Sequence, residues 1–488
     1  MRRSPGPSRG GRVGPSPGLS RGVALVSGVL LLGSGSGWAE AQSVRGWTST
    51  SARFVQVSPL VLDSLGAGVS PSCALAQASC TTYVTGPREQ ALGLTQDLSF
   101  IAWGLGVRGL SVTALIRSRL QVSGAFDWPR ADDHIDGILA YAEYVRPGFR
   151  GRAGRQRTNS PLGFAGFDGL SLALSPAAWI DVEAFGGRTL AQTLNQPANE
   201  AFRGLEDLLL DSDALLFGGV VRASLGSAVA MGVRYQREIY RDRSALLSER
   251  SSVTLDAGGL PAGLRLHGRL DYDFGTGRLG KSEVRLATSR AGWATRLSYR
   301  HTVPYFDLST IWGYFRPVAY DEVGMMVSRS LTDGLGVWAE GGLRQYGDAA
   351  TTTVLEPLRD SAWRIASGAT WQAAPAWTLT GTYRLEWGVG GLLNSGTLGT
   401  RWTGGESWDL GWTLSALQQF EEFRLGEGTL IGLGAQGHRR FGGRIELGGG
   451  GSLFRRARNG TGAEFDSGQF RAWTEIRVAF GADPGMRP

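Results

Sequence analysis

The fold class that the sequence predicts is all-β: a transmembrane antiparallel β-barrel of about 16–22 strands, with about 22 as the best count and no separate plug domain. Three features of the 488-residue chain lead to this prediction. Segments with two different faces recur along its length, short connections alternate with long ones, and aromatic residues stand at both ends of an apolar face.

The two-faced segments alternate with a period of two residues, which is the signature of β-strands. In FRAWTEIRVAF (470–480), one set of alternate residues is largely apolar, whereas the other contains Arg471, Glu475 and Arg477. The segments 263–274 and 377–387 divide in the same way. Because soluble β-sandwiches also alternate, the assignment to a membrane depends on the other two features.

The aromatic spacing fits a lipid bilayer. Trp377 and Trp387 lie ten residues apart on one face of a predicted strand. Ten residues of strand extend about 33 Å, and a tilt of about 40° reduces this to about 25 Å, the height of the apolar band of an outer-membrane barrel.

The connections alternate in length, as the short periplasmic turns and longer external loops of transmembrane barrels do. We predict short turns at 106–109, 146–149, 175–178, 225–227, 331–334, 373–375 and 438–441. We predict longer loops at 63–91, 122–135, 158–165, 188–213, 241–249, 304–318, 347–360 and 456–467.

We divide the chain into a signal peptide (1–41), a barrel (42–480) and a short C-terminal tail (481–488). The first segment combines five arginines, an apolar run and an A-x-A cleavage site, which is typical of a secretory signal. Its removal lowers the formal net charge from +7 to +3, which gives no indication of a nucleic-acid partner. Since an exported chain meets an oxidising compartment, Cys73 and Cys80 are predicted to form a disulfide.

The final strand, which ends at Phe480, resembles the terminal signal of Gram-negative outer-membrane barrels of the porin-like type. The resemblance implies the outer membrane as location, its lipid as surroundings and the barrel-assembly machinery as a partner. The tail after Phe480 is a departure, because in that family the aromatic residue is usually the last one.

The charged face of each strand is expected to line the lumen, since an arginine facing lipid at mid-depth costs about 2–4 kcal/mol. Because arginines predominate, we predict a mild preference for anions. An alternative is that arginines and carboxylates neutralise each other as a structural lattice. The predicted lumen residues are Arg117, Arg119, Arg234, Arg265, Arg269, Arg296, Arg300, Arg344, Arg384, Arg471, Arg477, Asp271, Asp273, Glu340, Glu386 and Glu475.

The segment 188–216 is the longest interruption of the strand pattern, and its middle has helical spacing. It is either an external cap or a loop folded into the barrel. In the second case Arg203, Glu206 and Asp207 form a constriction and set the charge that a permeant meets.

Other motifs favour structural interpretations. GLGVRG (104–109) matches the dinucleotide fingerprint, but a strand follows where a helix is required, so we predict a turn. The four histidines lack the spacing of zinc ligands. A weak calcium candidate is formed by Asp127, Asp132, Asp133 and Asp136. No catalytic set is recognisable, and neither an enzyme nor a cofactor is predicted.

One short segment, RAGRQRTNSPLGFAGFDGLSLAL (152–174), resembles the G-R-Q and F-D-G strand pair of the alginate-export type of porin-like proteins. The matching residues are Gly154, Arg155, Gln156, Phe167, Asp168 and Gly169. Proteins of that type are barrels of about eighteen strands that pass an anionic polysaccharide through an arginine-rich lumen. The resemblance therefore implies a pore, but it does not transfer the substrate.

The functional expectation is an outer-membrane channel that passes small, preferentially anionic solutes passively. Two alternatives remain, an exporter of an anionic polysaccharide and a structural or adhesive barrel.

Overall fold

The protein is described from a computed structural model. The structure describes residues 43–58, 60–65, 80–124, 134–190, 214–240, 246–303, 319–347, 361–388, 391–405, 407–420, 428–458 and 467–481. The predicted signal peptide, Cys73 and the tail after Gly481 lie outside these ranges.

The described residues form 24 strands and one short 3-10 turn, Pro261–Gly263. The strands are β1 (Ser43–Val57), β2 (Leu60–Leu65), β3 (Cys80–Thr85), β4 (Glu89–Trp103), β5 (Leu110–Ser123), β6 (His134–Arg146), β7 (Phe149–Ser160), β8 (Gly163–Ala177), β9 (Ile180–Thr189), β10 (Ala214–Leu225), β11 (Val229–Tyr240), β12 (Leu246–Leu260), β13 (Leu264–Asp273), β14 (Arg278–Arg290), β15 (Trp293–Thr302), β16 (Tyr320–Thr332), β17 (Leu335–Tyr346), β18 (Ser361–Ala374), β19 (Trp377–Gly388), β20 (Gly391–Gly404), β21 (Trp408–Phe420), β22 (Gly428–Phe441), β23 (Ile445–Arg458) and β24 (Ser467–Gly481).

One closed sheet of 22 strands contains β1 and β4 to β24. Each strand pairs antiparallel with the next, and β1 closes the ring because it pairs with both β24 and β4. The remaining strands, β2 and β3, form a separate hairpin within the β1–β4 connection. The predicted all-β barrel of 22 strands is therefore confirmed.

Most connections alternate between short and long, as predicted, but β7 is joined to β8, and β19 to β20, by only two residues where the alternation requires a longer loop. The turn 104–109 contains Gly104, Gly106 and Gly109, each with positive φ, so the turn interpretation of GLGVRG is confirmed. Two predicted connections were wrong. Residues 438–441 belong to β22, and the segment 158–165 contains only a two-residue turn between β7 and β8. The first strand of the barrel, β1, begins at Ser43 and ends at Val57.

In the part of the chain that the structure describes, no helix is long and apolar enough to span a membrane.

The two faces of the closed sheet differ in chemistry. In β24, Phe470 and Ile476 are exposed large apolar residues, whereas Glu475, on the opposite face, accepts a hydrogen bond from Ser49 Oγ of β1 (2.6 Å). In β13, exposed Leu270 lies between Arg269 and Asp271. The apolar face is therefore the outer one throughout the barrel, and the charged face is the inner one.

An apolar outer surface on a closed barrel places the protein in lipid, because only closed barrels and helices satisfy all backbone groups there. Aromatic residues stand at the ends of the strands, as at a membrane interface. The Arg329 guanidinium lies 4.8 Å from the ring centroid of Trp293, and that of Arg439 lies 4.7 Å from the ring of Trp408. The barrel is accordingly an outer-membrane protein.

The orientation of the faces predicts opposite effects for neighbouring residues in β20. Leu398, at mid-strand, is 63% exposed on the outer face, and Thr397 lies on the inner face. We expect Leu398→Glu to lower the free energy of unfolding in phospholipid vesicles by about 2 kcal/mol, because it places a carboxylate in hydrocarbon. Thr397→Glu is the control, and equal losses for the two variants would contradict the assignment of the faces.

Candidate functional site: a charged lumen with an inward hairpin

The inner face of the barrel carries the residues predicted for the lumen. Their strand positions alternate with exposed apolar residues, and their register partners on adjacent strands share the same face. The residues placed there by register are Arg117, Arg119, Arg234, Arg265, Arg269, Arg296, Arg300, Arg344, Arg384, Arg471, Arg477, Asp271, Asp273, Glu340, Glu386 and Glu475.

Two buried carboxylates organise the charges on one side of the lumen. The first is Glu283 of β14, which is 1% exposed. Its carboxylate lies 3.0 Å from Lys281 Nζ and 3.8 Å from Arg300 Nη2, and Arg285 forms a third, closer ion pair with it. The sequence prediction included Arg300 but not Glu283. Lys281 and Arg285 lie on the same strand as Glu283, whereas the contact with Arg300 depends on the register between β14 and β15, which the sequence does not show.

The second buried carboxylate is Glu322 of β16, which is 4% exposed. It accepts from Arg344 Nη2 (2.7 Å) and pairs with Arg364 Nη2 (2.8 Å). Arg364 also donates to Glu340 (2.8 Å), and Arg344 reaches Glu386 (3.4 Å). The pairs join β16, β17, β18 and β19 into one lattice of alternating charge.

Further pairs lie elsewhere on the inner wall. Arg117 donates to both carboxylate oxygens of Asp97, at 2.7 and 2.9 Å. Arg269 pairs with Asp271, which also accepts from Ser252 Oγ at 2.6 Å. Part of the arginine excess is therefore neutralised, as the lattice alternative requires.

Other inner arginines contact neutral groups. Arg477 stacks 4.0 Å from the Trp47 ring centroid, Arg471 lies 5.9 Å from that of Phe454, and Arg296 Nη2 lies 2.8 Å from the Met326 sulfur. Among the described residues, Arg265 and Arg384 have no carboxylate within ion-pair distance. Arg265 and Arg384 are therefore not neutralised by a described carboxylate.

The hairpin of β7 and β8 extends into the lumen. Its Thr158 Oγ1 accepts a hydrogen bond from Arg234 Nη2 (3.1 Å) in the middle of β11, and the Pro161 carbonyl accepts from Arg269 in the middle of β13. Neither β11 nor β13 neighbours this hairpin in the sheet. The hairpin tip, residues 158–165, therefore leaves the wall and reaches other strands at mid-barrel.

A small apolar cluster lies between the hairpin and the barrel wall, and it buries the side of the hairpin that faces the wall. Phe167 of β8 packs against Phe185 of β9, with ring centroids 5.7 Å apart, and the buried Leu216 of β10 belongs to the same cluster. Ala165 and Val220 complete the cluster. Burial of large apolar side chains is worth about 1.5–3 kcal/mol each, so this cluster stabilises the inward position.

Glycines permit the bend at the base of the hairpin. Gly154 of β7 has a φ of 121°, and a Cβ there would lie 2.3 Å from the Ala140 carbonyl oxygen. Its register partner Gly169 approaches β9 so closely that a Cβ would lie 2.1 Å from the Gly186 oxygen. Only glycine fits at these two positions without displacing the backbone.

The motif residues between these glycines hold the two strands of the hairpin together. Arg155 donates from Nε and Nη2 to the two carboxylate oxygens of Asp168, each at 2.8 Å, and from Nη1 to the Gly137 carbonyl of β6 (2.8 Å). On the opposite face, the buried Gln156 donates to the Gly169 carbonyl (3.0 Å). Arg155, Gln156 and Asp168 thus fix the two strands to each other at the base of the hairpin.

Several residues of the predicted constriction and calcium sites lie outside the part of the chain that the structure describes. Arg203, Glu206 and Asp207 lie outside the described residues, as do Asp127, Asp132 and Asp133. Asp136, the remaining calcium candidate, lies 3.7 Å from Arg119 Nη2. Within the described ranges, no three His, Cys, Asp or Glu side chains are grouped as metal ligands. Cys80 begins β3, but nothing is described of its side chain.

No family model and no curated protein matches this chain. Solved structures with a similar outline include a BenF-like porin from Pseudomonas fluorescens Pf-5 (10% identity, 91% of this chain and 100% of that chain, TM-score 0.41) and OccAB1 from Acinetobacter baumannii (10%, 91% and 98%, TM-score 0.39). An anion-selective porin from Comamonas acidovorans is also similar (12%, 90% and 99%, TM-score 0.30). Similarity at this level does not establish a family.

Proposed function

We propose that the protein is a passive outer-membrane channel for small solutes, with a preference for anions. The observation that carries this proposal is a closed 22-stranded barrel whose inner face holds more guanidinium groups than carboxylates. A charged wall of low dielectric constant focuses its field into the lumen and attracts ions of the opposite sign.

The lattice and the selectivity interpretations apply to different arginines. Guanidinium groups that contact buried carboxylates, such as Arg344 on Glu322, are assigned to the structure of the wall. Arg265 and Arg384 are assigned to the field in the lumen, because no described carboxylate lies close to either. The preference for anions should therefore depend mainly on the second group.

The test is the single-channel current of the refolded, signal-free protein in a planar bilayer under a KCl gradient. We expect open steps with a reversal potential displaced toward that of chloride. Arg265→Ala with Arg384→Ala should reduce this displacement, since two positive charges leave the lumen without exposing a buried partner. Arg269→Ala should reduce it further, because Asp271 then remains without Arg269.

The control is Arg329→Gln, which removes one positive charge from the outer face. It should leave the reversal potential unchanged. A folded barrel that carries no current would exclude the channel and leave a gated exporter or a structural barrel. A current with no preference between potassium and chloride in all variants would exclude the selectivity.

A second candidate is an exporter of an anionic polysaccharide. One observation favours it: the residues of the resemblance are register partners in β7 and β8, Arg155 with Asp168 and Gln156 with Phe167. Such a function requires an inner passage for a chain of linked acidic sugars, so that an acidic oligosaccharide should block the ionic current reversibly from one side of the bilayer.

A further inference from the structure

Arg234 of the barrel wall contacts the hairpin tip, and one of its N–H donors makes no hydrogen bond within the described residues. The side chain is 5% exposed, lies at mid-strand in β11 and stacks 4.8 Å from the Phe185 ring centroid. One of its Nη atoms donates to Thr158, whereas its buried Nε has no hydrogen-bond partner among the described residues. The Arg234 guanidinium can therefore make more hydrogen bonds to a ligand than the one that it makes to Thr158.

The acceptors of the hairpin tip are neutral. Arg234 binds the Thr158 hydroxyl and Arg269 binds the Pro161 carbonyl. Hydrogen bonds from a guanidinium to a carboxylate or phosphate are roughly twice as strong as those between neutral groups and are often bidentate. An oxyanion therefore competes favourably with Thr158 for Arg234.

The surroundings of Arg234 leave its charge available to an anion from solution, because none of its contacts within the described residues is with a carboxylate of the protein. Glu183, on the neighbouring part of the inner wall, pairs with Arg222 at 3.9 Å. Gln236, two residues along β11 on the same face, is also buried, and its Oε1 has no hydrogen-bond partner in the described part of the chain. An acidic oxyanion that still holds a proton can donate to this acceptor while its charged oxygens face Arg234.

Access to Arg234 requires movement of the hairpin tip, because the tip covers it. The glycines at Gly154 and Gly169 mark where the hairpin leaves the wall, and the apolar cluster around Phe167 holds it inward. A ligand that binds only the displaced form shifts the population toward that form.

We propose that Arg234 is a binding site for a permeant oxyanion, carboxylate or phosphate, and that its occupation releases the β7–β8 hairpin tip and widens the passage. This inference rests on the proposed channel function and deepens it. The anion thus acts both as the permeant and as the ligand that opens its own path.

The experiment uses inorganic phosphate as the probe, added at constant ionic strength to single channels in KCl. The unaltered protein should show a smaller and a larger conductance level, and the larger level should become more populated and saturate as phosphate rises. Arg234→Gln should raise the half-saturating phosphate concentration about tenfold or more, because the charged donor is lost.

Thr158→Val separates the contact that holds the tip from the anion site. It removes the hydroxyl that Arg234 binds in the inward position but leaves Arg234 intact. The larger level should then be populated without phosphate, and half-saturation should occur at a lower concentration, since less free energy is needed to displace the tip. The two variants are thus expected to shift the phosphate response in opposite directions.

Arg329→Gln, on the outer face, is the matched control and should respond to phosphate as the unaltered protein does. A conductance that is independent of phosphate, or a response that Arg234→Gln and Thr158→Val leave unchanged, would overturn the inference while the channel function stands. A folded protein that carries no current in KCl alone would instead overturn the channel function itself.

Discussion

Removal of the hairpin tip is expected to increase the single-channel conductance about twofold, since the tip occupies the lumen at mid-barrel. In the variant, an Asn-Gly pair replaces residues 157–166 and joins the register partners Gln156 and Phe167 by a two-residue turn. The increase should occur in KCl without added phosphate, because the variant lacks Thr158 and Pro161, which contact Arg234 and Arg269.

The control for this deletion is an Asn-Gly pair in place of residues 275–276, in the connection between β13 and β14 on the same side of the membrane. It should leave the conductance unchanged. Folding of both variants is verified by heat-dependent mobility in gel electrophoresis. A folded deletion variant with the conductance of the unaltered protein would show that the hairpin does not restrict the passage.

The largest expected effect on stability comes from Glu322→Gln. This carboxylate is 4% exposed and compensates both Arg344 and Arg364. Loss of one partner from a buried ion cluster leaves charge uncompensated, so we expect the free energy of unfolding to fall by about 3 kcal/mol. The measurement is urea unfolding in phospholipid vesicles, followed by tryptophan fluorescence.

Asp409→Asn is the matched comparison, since Asp409 pairs with Arg401 where water reaches both groups. Exposed pairs contribute little, so this variant should unfold at nearly the same urea concentration as the unaltered protein. Equal and small losses of stability in both variants would show that the ion pairs around Glu322 do not stabilise the barrel wall. Arg344 and Arg364 would then be assigned to the field in the lumen, as Arg265 and Arg384 are.

The number of strands and the chemistry of their faces were predictable from the sequence, because both depend on local patterns. A period of two residues in FRAWTEIRVAF assigns Phe470 and Ile476 to one face and Glu475 to the other, whatever the neighbouring strand is. The errors were at connections. The run HRRF (438–441) was assigned to a turn, but the two glycines that follow it, Gly442 and Gly443, have the positive φ values that a turn requires.

The partners of the charged residues were not predictable, because they depend on register. Glu283 meets Arg300 through the alignment of β14 with β15, and Glu322 meets Arg344 through that of β16 with β17. Register in turn depends on turn length and on irregularities such as the shift between Asp271 and Tyr272. None of these is visible as a residue pattern.

The sequence by itself predicted a two-faced barrel of about 16–22 strands, with 22 as the best count, since lipid outside and water inside impose different residues on alternate positions. Only the tertiary structure decided which segment enters the lumen. Thr158 and Arg234 are 76 residues apart, and their contact requires closure of the ring and a bend at Gly154 and Gly169. Such contacts across the lumen arise from the closed ring as a whole, which no local segment encodes.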